Sequence, residues 1–344
     1  MKAALLSGIR RFECKQIPSP QLLTDSDVLI RIRAVGVCGS DIHYYNEGRI
    51  GSQVVSFPFI IGHEASGTVE GVGDKVRGLS LGQNVAIDPS VSCGHCDQCL
   101  AGREHTCRSL LFLGCPGQLE GSLCEEIIVP GKCCYPIPPG MTFEQGALTE
   151  PLSIALYAVE RSPIAPRAKI GILGVGPIGM SIFHVLRAEA DADVYVTDKI
   201  DDRLQVARKL NPVWAGNPGV IDIVSEVSRK EPLLLDVVYE CSGDPAAISQ
   251  GVRLLKPGGT LMIVGIPEVD EISLPIHELR RKEITIVNVR RQVHCTQKAV
   301  DFIASRRVQM DDMVTHRFPL EEVGAAFDLV ANYRQRVMKA MIIL

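Results

Sequence analysis

Two textures of apolar and polar positions divide the 344-residue chain. Up to about residue 150, short apolar runs are broken by glycine and proline, which is the pattern of a β-rich region. Residues 28–35 read as a strand that alternates in its second half, and residues 67–73 and 84–87 read as further short strands between turns. From Lys169 onward, apolar strands alternate with helical stretches. Residues 169–173 form a buried-strand run, a helix is expected from Met180 to about Glu189, and residues 194–197 form a second strand. Trp214 and the proline-containing stretch after Leu210 blur the third strand. Residues 234–239, 260–264 and 283–287 read as the fourth, fifth and sixth, with Pro257-Gly258-Gly259 as a turn before the fifth. Repeated strand-helix units imply an α/β domain whose doubly wound parallel sheet carries helices on both faces.

Length makes two domains the default, since one core rarely grows to this size. A composition of 46% hydrophobic and 22% charged residues is that of an ordinary globular chain. The formal net charge of -4 and the lack of a basic run argue against a broad nucleic-acid surface. No stretch reaches about 18 uncharged apolar residues, so no membrane span is expected. The first ten residues lack the apolar core and cleavage site of a signal peptide, and a cytoplasmic location is expected.

Twelve cysteines in a chain without an export signal point to metal binding before disulfides. Cys93, Cys96, Cys99 and Cys107 follow C-x2-C-x2-C-x7-C, a spacing that brings four sulfurs onto one tetrahedral ion. Cys14, Cys115, Cys124, Cys133, Cys134, Cys241 and Cys295 show no such pattern and read as packing residues. A second group lies between Gly36 and Glu64. Cys38, His63 and Glu64 offer a thiolate, an imidazole and a carboxylate, a set that suits a zinc with an open position better than a closed structural one. Any one of these residues alone is equally well a packed thiol or a hydrogen-bonded loop histidine. Glu150 precedes Pro151 and an apolar helical run at residues 154–159; it is either a helix-start carboxylate near the amide dipoles or a group brought to the metal by the fold.

Gly174-Val175-Gly176-Pro177-Ile178-Gly179 matches G-x-G-x-x-G between a strand and a helix, and the next strand ends at Asp198. Those glycines allow a tight turn, a close approach to a pyrophosphate and close packing of helix on strand. An acid at that strand end accepts from the adenosine ribose hydroxyls and repels a 2′-phosphate, which favours NAD over NADP. Lys199 beside it tempers the preference. The alternative is a doubly wound domain that binds another ligand or none.

Taken together, Cys38, Gly62-His63-Glu64, the Cys93 to Cys107 quartet, Glu150-Pro151-Leu152-Ser153 and the Gly174 to Asp198 fingerprint occur in an order that resembles zinc-dependent medium-chain alcohol dehydrogenases. The likeness spans essentially the whole chain. Within that family the chain looks most like the sorbitol, xylitol and L-iditol dehydrogenases, through Cys38-Gly39-Ser40-Asp41-Ile42-His43-Tyr44 and residues 146–153. The resemblance implies a GroES-like catalytic domain from residues 1–151 and 289–344, with a Rossmann NAD-binding domain inserted at 152–288 and the active site in the cleft. It also implies a homotetramer or dimer and two zinc ions per chain, one catalytic and one structural.

Carried over by position, Cys38, His63 and Glu64 hold the catalytic zinc, with Glu150 holding its water or joining the metal. The later cysteines form the structural site. Ser40 and His43 are expected to relay the alcohol proton outward. Arg203 and Val264 complete the expected cofactor-binding set with Gly174, Gly176, Pro177, Ile178, Gly179 and Asp198. Tyr44, Glu150, Arg290 and Arg291 are the expected substrate residues, with Phe112 and Leu113 near another pocket wall. Arg291 departs from the family's Arg-Tyr pair. A second guanidinium suits a carboxylate or phosphate, so a sugar acid or sugar phosphate is the alternative substrate. An L-threonine 3-dehydrogenase-like activity and a non-catalytic NAD(P)-binding protein are more distant alternatives.

Overall fold

The strand read at residues 28–35 forms as Asp27–Gly36 and is the axis of one half of the chain. Val28, Ile30, Ile32 and Ala34 are buried, while Leu29, Arg31 and Arg33 alternate with them and keep some exposure. Alternation therefore runs from the start of the strand, and it stops only at Val35 and Gly36, both buried. This computed structural model describes residues 1–21 and 24–344. It divides into one unit of Met1–Glu150 with Val293–Leu344 and another of Pro151–Gln292.

In the first unit Asp27–Gly36 lies inside a seven-stranded sheet. One of its edges pairs antiparallel with Glu64–Val72. The other is shared: Glu126–Pro130 covers Asp27 to Arg31, and Lys339–Ile343 covers Ala34 to Gly36. The last strand of the chain is thus built in beside one of the first. Ile30, Ile32, Ile61, Leu123, Phe327 and Ile342 belong to the apolar core of this unit.

Helices interrupt the β-rich pattern, and two of them carry residues expected at the active site. Gly39–Glu47 follows Cys38 directly. Phe143–Glu160 begins well before the apolar run at residues 154–159, because Thr142 and Gln145 form a reciprocal cap. Gln145 N donates to Thr142 Oγ1 at 3.1 Å, and Thr142 N donates to Gln145 Oε1 at 3.0 Å. Glu150 is consequently mid-helix and buried, which corrects the helix-start alternative. Pro151 sits inside the same helix and removes one backbone donor.

The second unit holds a six-stranded parallel sheet of Ala168–Leu173, Ala192–Thr197, Trp214–Gly216, Leu235–Glu240, Leu255–Ile263 and Thr285–Asn288. Counted along the chain, their order across the sheet is third, second, first, fourth, fifth and sixth. Trp214 does belong to the third strand, which is only three residues long. The expected turn at Pro257-Gly258-Gly259 is instead a bulge within the fifth strand: Leu235 pairs with Leu255 and Val237 with Thr260, so residues 256–259 stand out opposite Asp236. Gly258 takes φ +76 there, a left-handed value that glycine adopts without strain. Among the described residues no helix is long and apolar enough to cross a membrane.

The cap on Phe143–Glu160 is testable. Thr142→Ala should lower unfolding free energy by about 1 kcal/mol in denaturant titration, with Thr142→Ser recovering most of it.

Candidate active site and metal centres

Strand register assembles the first site. Antiparallel pairing sets Gly36 opposite Glu64, so Cys38, two residues beyond the first strand, and His63, one residue before the second, emerge at the same end. Met341 pairs with Gly36 from the other side, and this brings Lys339 to that end as well. Gly36 has no side chain to obstruct them; a Cβ there would overlap Glu64 Oε2. Glu150 arrives on Phe143–Glu160, whose Gly146 packs tightly on Ser66, with 2.9 Å between a Cβ at Gly146 and Ser66 Cβ.

Cys38 is the N-cap of the helix Gly39–Glu47, with Ser40 Oγ 3.3 Å from its Sγ. Asp41 organises the surroundings and is fully buried. Its Oδ2 accepts from Cys38 N at 3.2 Å, and its Oδ1 accepts from Gly62 N at 3.3 Å. The same Oδ1 lies 3.3 Å from His63 Nδ1. A carboxylate on Nδ1 fixes the ring and leaves Nε2 to face a metal. Burial opposes charge on His63, but Asp41 and Cys38 beside it hold its pKa well above the ordinary imidazole value. Burial pushes the Glu150 carboxyl up to about 7; His63 and Lys339 pull against that, while Glu64 and Asp88 add to it. Sulfur, imidazole and carboxyl are the donor types zinc takes, so the residues fit that ion.

Glu64 is engaged differently from the expectation. Both its oxygens accept from Lys339 Nζ, at 2.7 and 2.6 Å, and both side chains are almost wholly buried. Lys339 Nζ also donates to Val37 O at 3.2 Å. In this arrangement both Glu64 oxygens face Lys339.

The second site is the cysteine lobe. Among the described residues, Cys93, Cys96, Cys99 and Cys107 are the one group of potential ligands whose donor atoms all converge, within 4.8 Å of one another. Sulfur separations of 3.6 Å (Cys96 to Cys99) and 3.9 Å (Cys93 to Cys99 and Cys96 to Cys107) match the edge of about 3.8 Å for a tetrahedron with 2.3 Å zinc-sulfur bonds. Among the described residues no cysteine is in a disulfide. Backbone N–H groups of Arg108 and Cys99 lower the Cys96 thiol to about 6, which favours the thiolate a metal requires.

In the second unit, Gly174 takes φ +92 at the end of the first strand, and a Cβ on Gly179 would run into Gly174 O. Gly176 caps the helix Pro177–Glu189, with Pro177 in its first turn, and a Cβ on Gly176 would lie 3.2 Å from Arg203 Nη1. Asp198 is buried at the end of the second strand and accepts from Val175 N at 2.9 Å and Ile200 N at 2.8 Å. Burial raises its pKa, and Arg203 opposes that rise. Val264 follows the fifth strand, with its N–H on Glu240 O. A glycine-rich turn, a helix N-terminus and an acid after the neighbouring strand are the parts from which a dinucleotide cradle is built.

Two family models match the chain, the alcohol dehydrogenase GroES-like domain over residues 24–139 and the zinc-binding dehydrogenase over residues 177–305. Sorbitol dehydrogenase of Bacillus subtilis (strain 168) is 34% identical over 343 residues, covering 99% of this chain and 97% of its own. The chain belongs to the zinc-binding alcohol dehydrogenases. L-idonate 5-dehydrogenase of Vitis vinifera is 31% identical across 96% of this chain and 91% of its own. A zinc-binding dehydrogenase from Sinorhizobium meliloti 1021, solved bound to NADP, superposes with a TM-score of 0.90 at 27% identity, covering 100% of this chain and 99% of that one. The fold is thus a GroES-like region with a Rossmann-like parallel-sheet domain, and this dehydrogenase is an oxidoreductase that uses zinc and NAD.

Other expected residues of the dehydrogenase fall as follows. His43 and Tyr44 share the helix of Ser40. Tyr44 is buried, its hydroxyl donating to Gln53 Oε1 at 3.3 Å. The Phe112 ring lies 5.3 Å from that of His63. Arg290 and Arg291 lie in the unit Pro151–Gln292, whereas Cys38, His63, Glu64 and Glu150 lie in the other. Arg291 holds φ +53. Asp41 and Lys339 also shape the first site, and they differ in how far the sequence marks them. An acid three residues after Cys38 was a usable sign of the first; nothing local marks Lys339.

Lys339→Met in zinc-free protein should cost about 3–5 kcal/mol of unfolding free energy, because it strands a buried carboxylate. Cys96→Ser should remove one zinc ion per chain in metal analysis and lower the melting temperature.

Proposed function

We propose that this dehydrogenase oxidises a secondary alcohol of a sorbitol-, xylitol- or L-iditol-type polyol to the ketose, transferring hydride to NAD. The observation that carries this is the strand register that brings Cys38 and His63 to one sheet end, with the Glu150 carboxyl within charge range of His63, in a chain whose full-length relatives include sorbitol and L-idonate dehydrogenases. Bound zinc would supply Lewis acidity that eases loss of the substrate hydroxyl proton, and bound NAD would accept the hydride.

The chain's own residues do the rest. Cys38 and His63 hold the metal with an acid, Glu64 or Glu150, and Asp41 fixes the His63 ring through Nδ1. Ser40, 3.3 Å from Cys38 Sγ, takes the hydroxyl proton, and His43, three residues along the same helix, passes it outward. Tyr44 and Phe112 form pocket wall, and Arg290 and Arg291 contact the substrate. Cys93, Cys96, Cys99 and Cys107 hold a second, structural zinc. Gly174, Gly176, Pro177, Ile178, Gly179, Arg203 and Val264 cradle the dinucleotide. The Asp198 carboxylate accepts from ribose hydroxyls and disfavours the 2′-phosphate, so NAD is preferred over NADP.

A sugar acid is the second reading, favoured by the extra guanidinium of Arg291 and by the L-idonate relative. A homotetramer or dimer in the cytoplasm is the proposed setting, and sedimentation of the purified protein tests the assembly.

Cys38→Ser should abolish turnover of sorbitol and xylitol while the circular dichroism spectrum stays native; retained turnover would remove Cys38 from the ligand set. Asp198→Ala should raise KM for NAD and narrow discrimination against NADP, and unchanged selectivity would refute the ribose assignment. A parallel screen of polyols and sugar acids, with Arg291→Tyr, decides the substrate class.

A further inference from the structure

Charged groups around Asp198 are divided between separate tasks. Asp198 is closed by the N–H groups of Val175 and Ile200, and the Arg203 guanidinium lies against Gly176. Lys199, the residue after Asp198, still lowers the pKa of that carboxylate through its charge, as the weakest of the influences on it. Its Nζ reaches the loop after the fourth strand and meets Asp244 Oδ2 at 2.5 Å.

Both ends of that contact are anchored. Asp244 is the N-cap of the helix Pro245–Leu254, its Oδ1 accepting from Ala246 N at 2.8 Å. On the other side, Asn217 Nδ2 donates to Lys199 O at 3.0 Å and to Asp201 Oδ1 at 2.9 Å, which ties down the backbone that carries the lysine. A dinucleotide bearing a 2′-phosphate needs a cation beside the acid at this strand end. Lys199 is placed to be that cation, and its side chain keeps 68% of its exposure.

We propose that Asp244 is a cofactor-specificity residue, which holds the Lys199 ammonium away from the adenosine 2′ position and so withholds it from NADP. This rests on the reading of the Gly174 to Asp198 cradle as the NAD site. To engage a 2′-phosphate, Lys199 must leave Asp244. Exposed ion pairs are weak, so the restraint alone is a factor of up to about five, and the Asp244 charge adds repulsion of a phosphate dianion.

The test compares the wild-type holoenzyme with D244N, K199A and the double variant. Asparagine caps a helix as well as aspartate does, so D244N removes the charge and keeps the cap. The readouts are kcat/KM for NAD and NADP with one polyol at low salt, and Kd for NADH and NADPH by fluorescence titration. D244N should raise the NADP-to-NAD preference about three- to tenfold in both readouts, and the gain should disappear in the K199A background. An unchanged ratio overturns the proposal. An equal gain in the K199A background also overturns it, because Asp244 would then act only by its own charge. Wild-type protein that binds NADH but oxidises no polyol would refute the substrate reading and leave the Kd ratios to decide this one. Failure to bind either cofactor would refute both.

Discussion

One ammonium and one carboxylate, taken out of water together, set the terms for the first site. Burying either alone costs several kcal/mol, and only close pairing with further hydrogen bonds offsets that. Lys339 and Glu64 meet this condition: Nζ reaches both carboxylate oxygens and Val37 O. The requirement constrains three strands at once. Asp27–Gly36 must end in glycine to admit the Glu64 carboxylate, Glu64–Val72 must start opposite it, and Lys339–Ile343 must pair from the other edge. With those registers in place, Cys38 and His63 have little freedom left. Asp41 removes most of what remains, since one buried carboxylate touches the Cys38 backbone, the Gly62 backbone and the His63 ring.

The other two sites depend on different constraints. The cysteine lobe is held by donor geometry: four sulfurs converge within 4.8 Å of one another, and the turns through Gly94 and Gly102, at φ +78 and +69, let so short a loop close. The dinucleotide cradle depends on missing atoms. Gly174, Gly176 and Gly179 each sit where a side chain would crowd Ser242, the Arg203 guanidinium or the Gly174 carbonyl, so the backbone stays open to close approach.

What could be read along the chain follows the sequence distance over which each signal acts. Cys93 to Cys107 and Gly174 to Asp198 are compact motifs, and both fold as their spacing implies. Five strands of the second unit are legible as apolar runs and the three-residue Trp214–Gly216 is not, while Pro257-Gly258-Gly259 resembles a turn because composition does not distinguish a turn from a bulge that rejoins its strand. Phe143–Glu160 was seen only in its apolar second half. Its start is set by Thr142 and Gln145, two polar side chains capping each other. Lys339 was invisible for a deeper reason: its partner lies 275 residues away, and a lone lysine in an apolar C-terminal run carries no mark of burial.

That separation orders events during biosynthesis. A ribosome delivers Cys38, His63 and Glu64 early, yet the cation that neutralises Glu64 emerges only with the closing strand Lys339–Ile343. Until then the carboxylate has to stay hydrated or protonated, so the nascent first unit has reason to remain loose at that end. The arrival of Lys339 thereby decides when the site can seal.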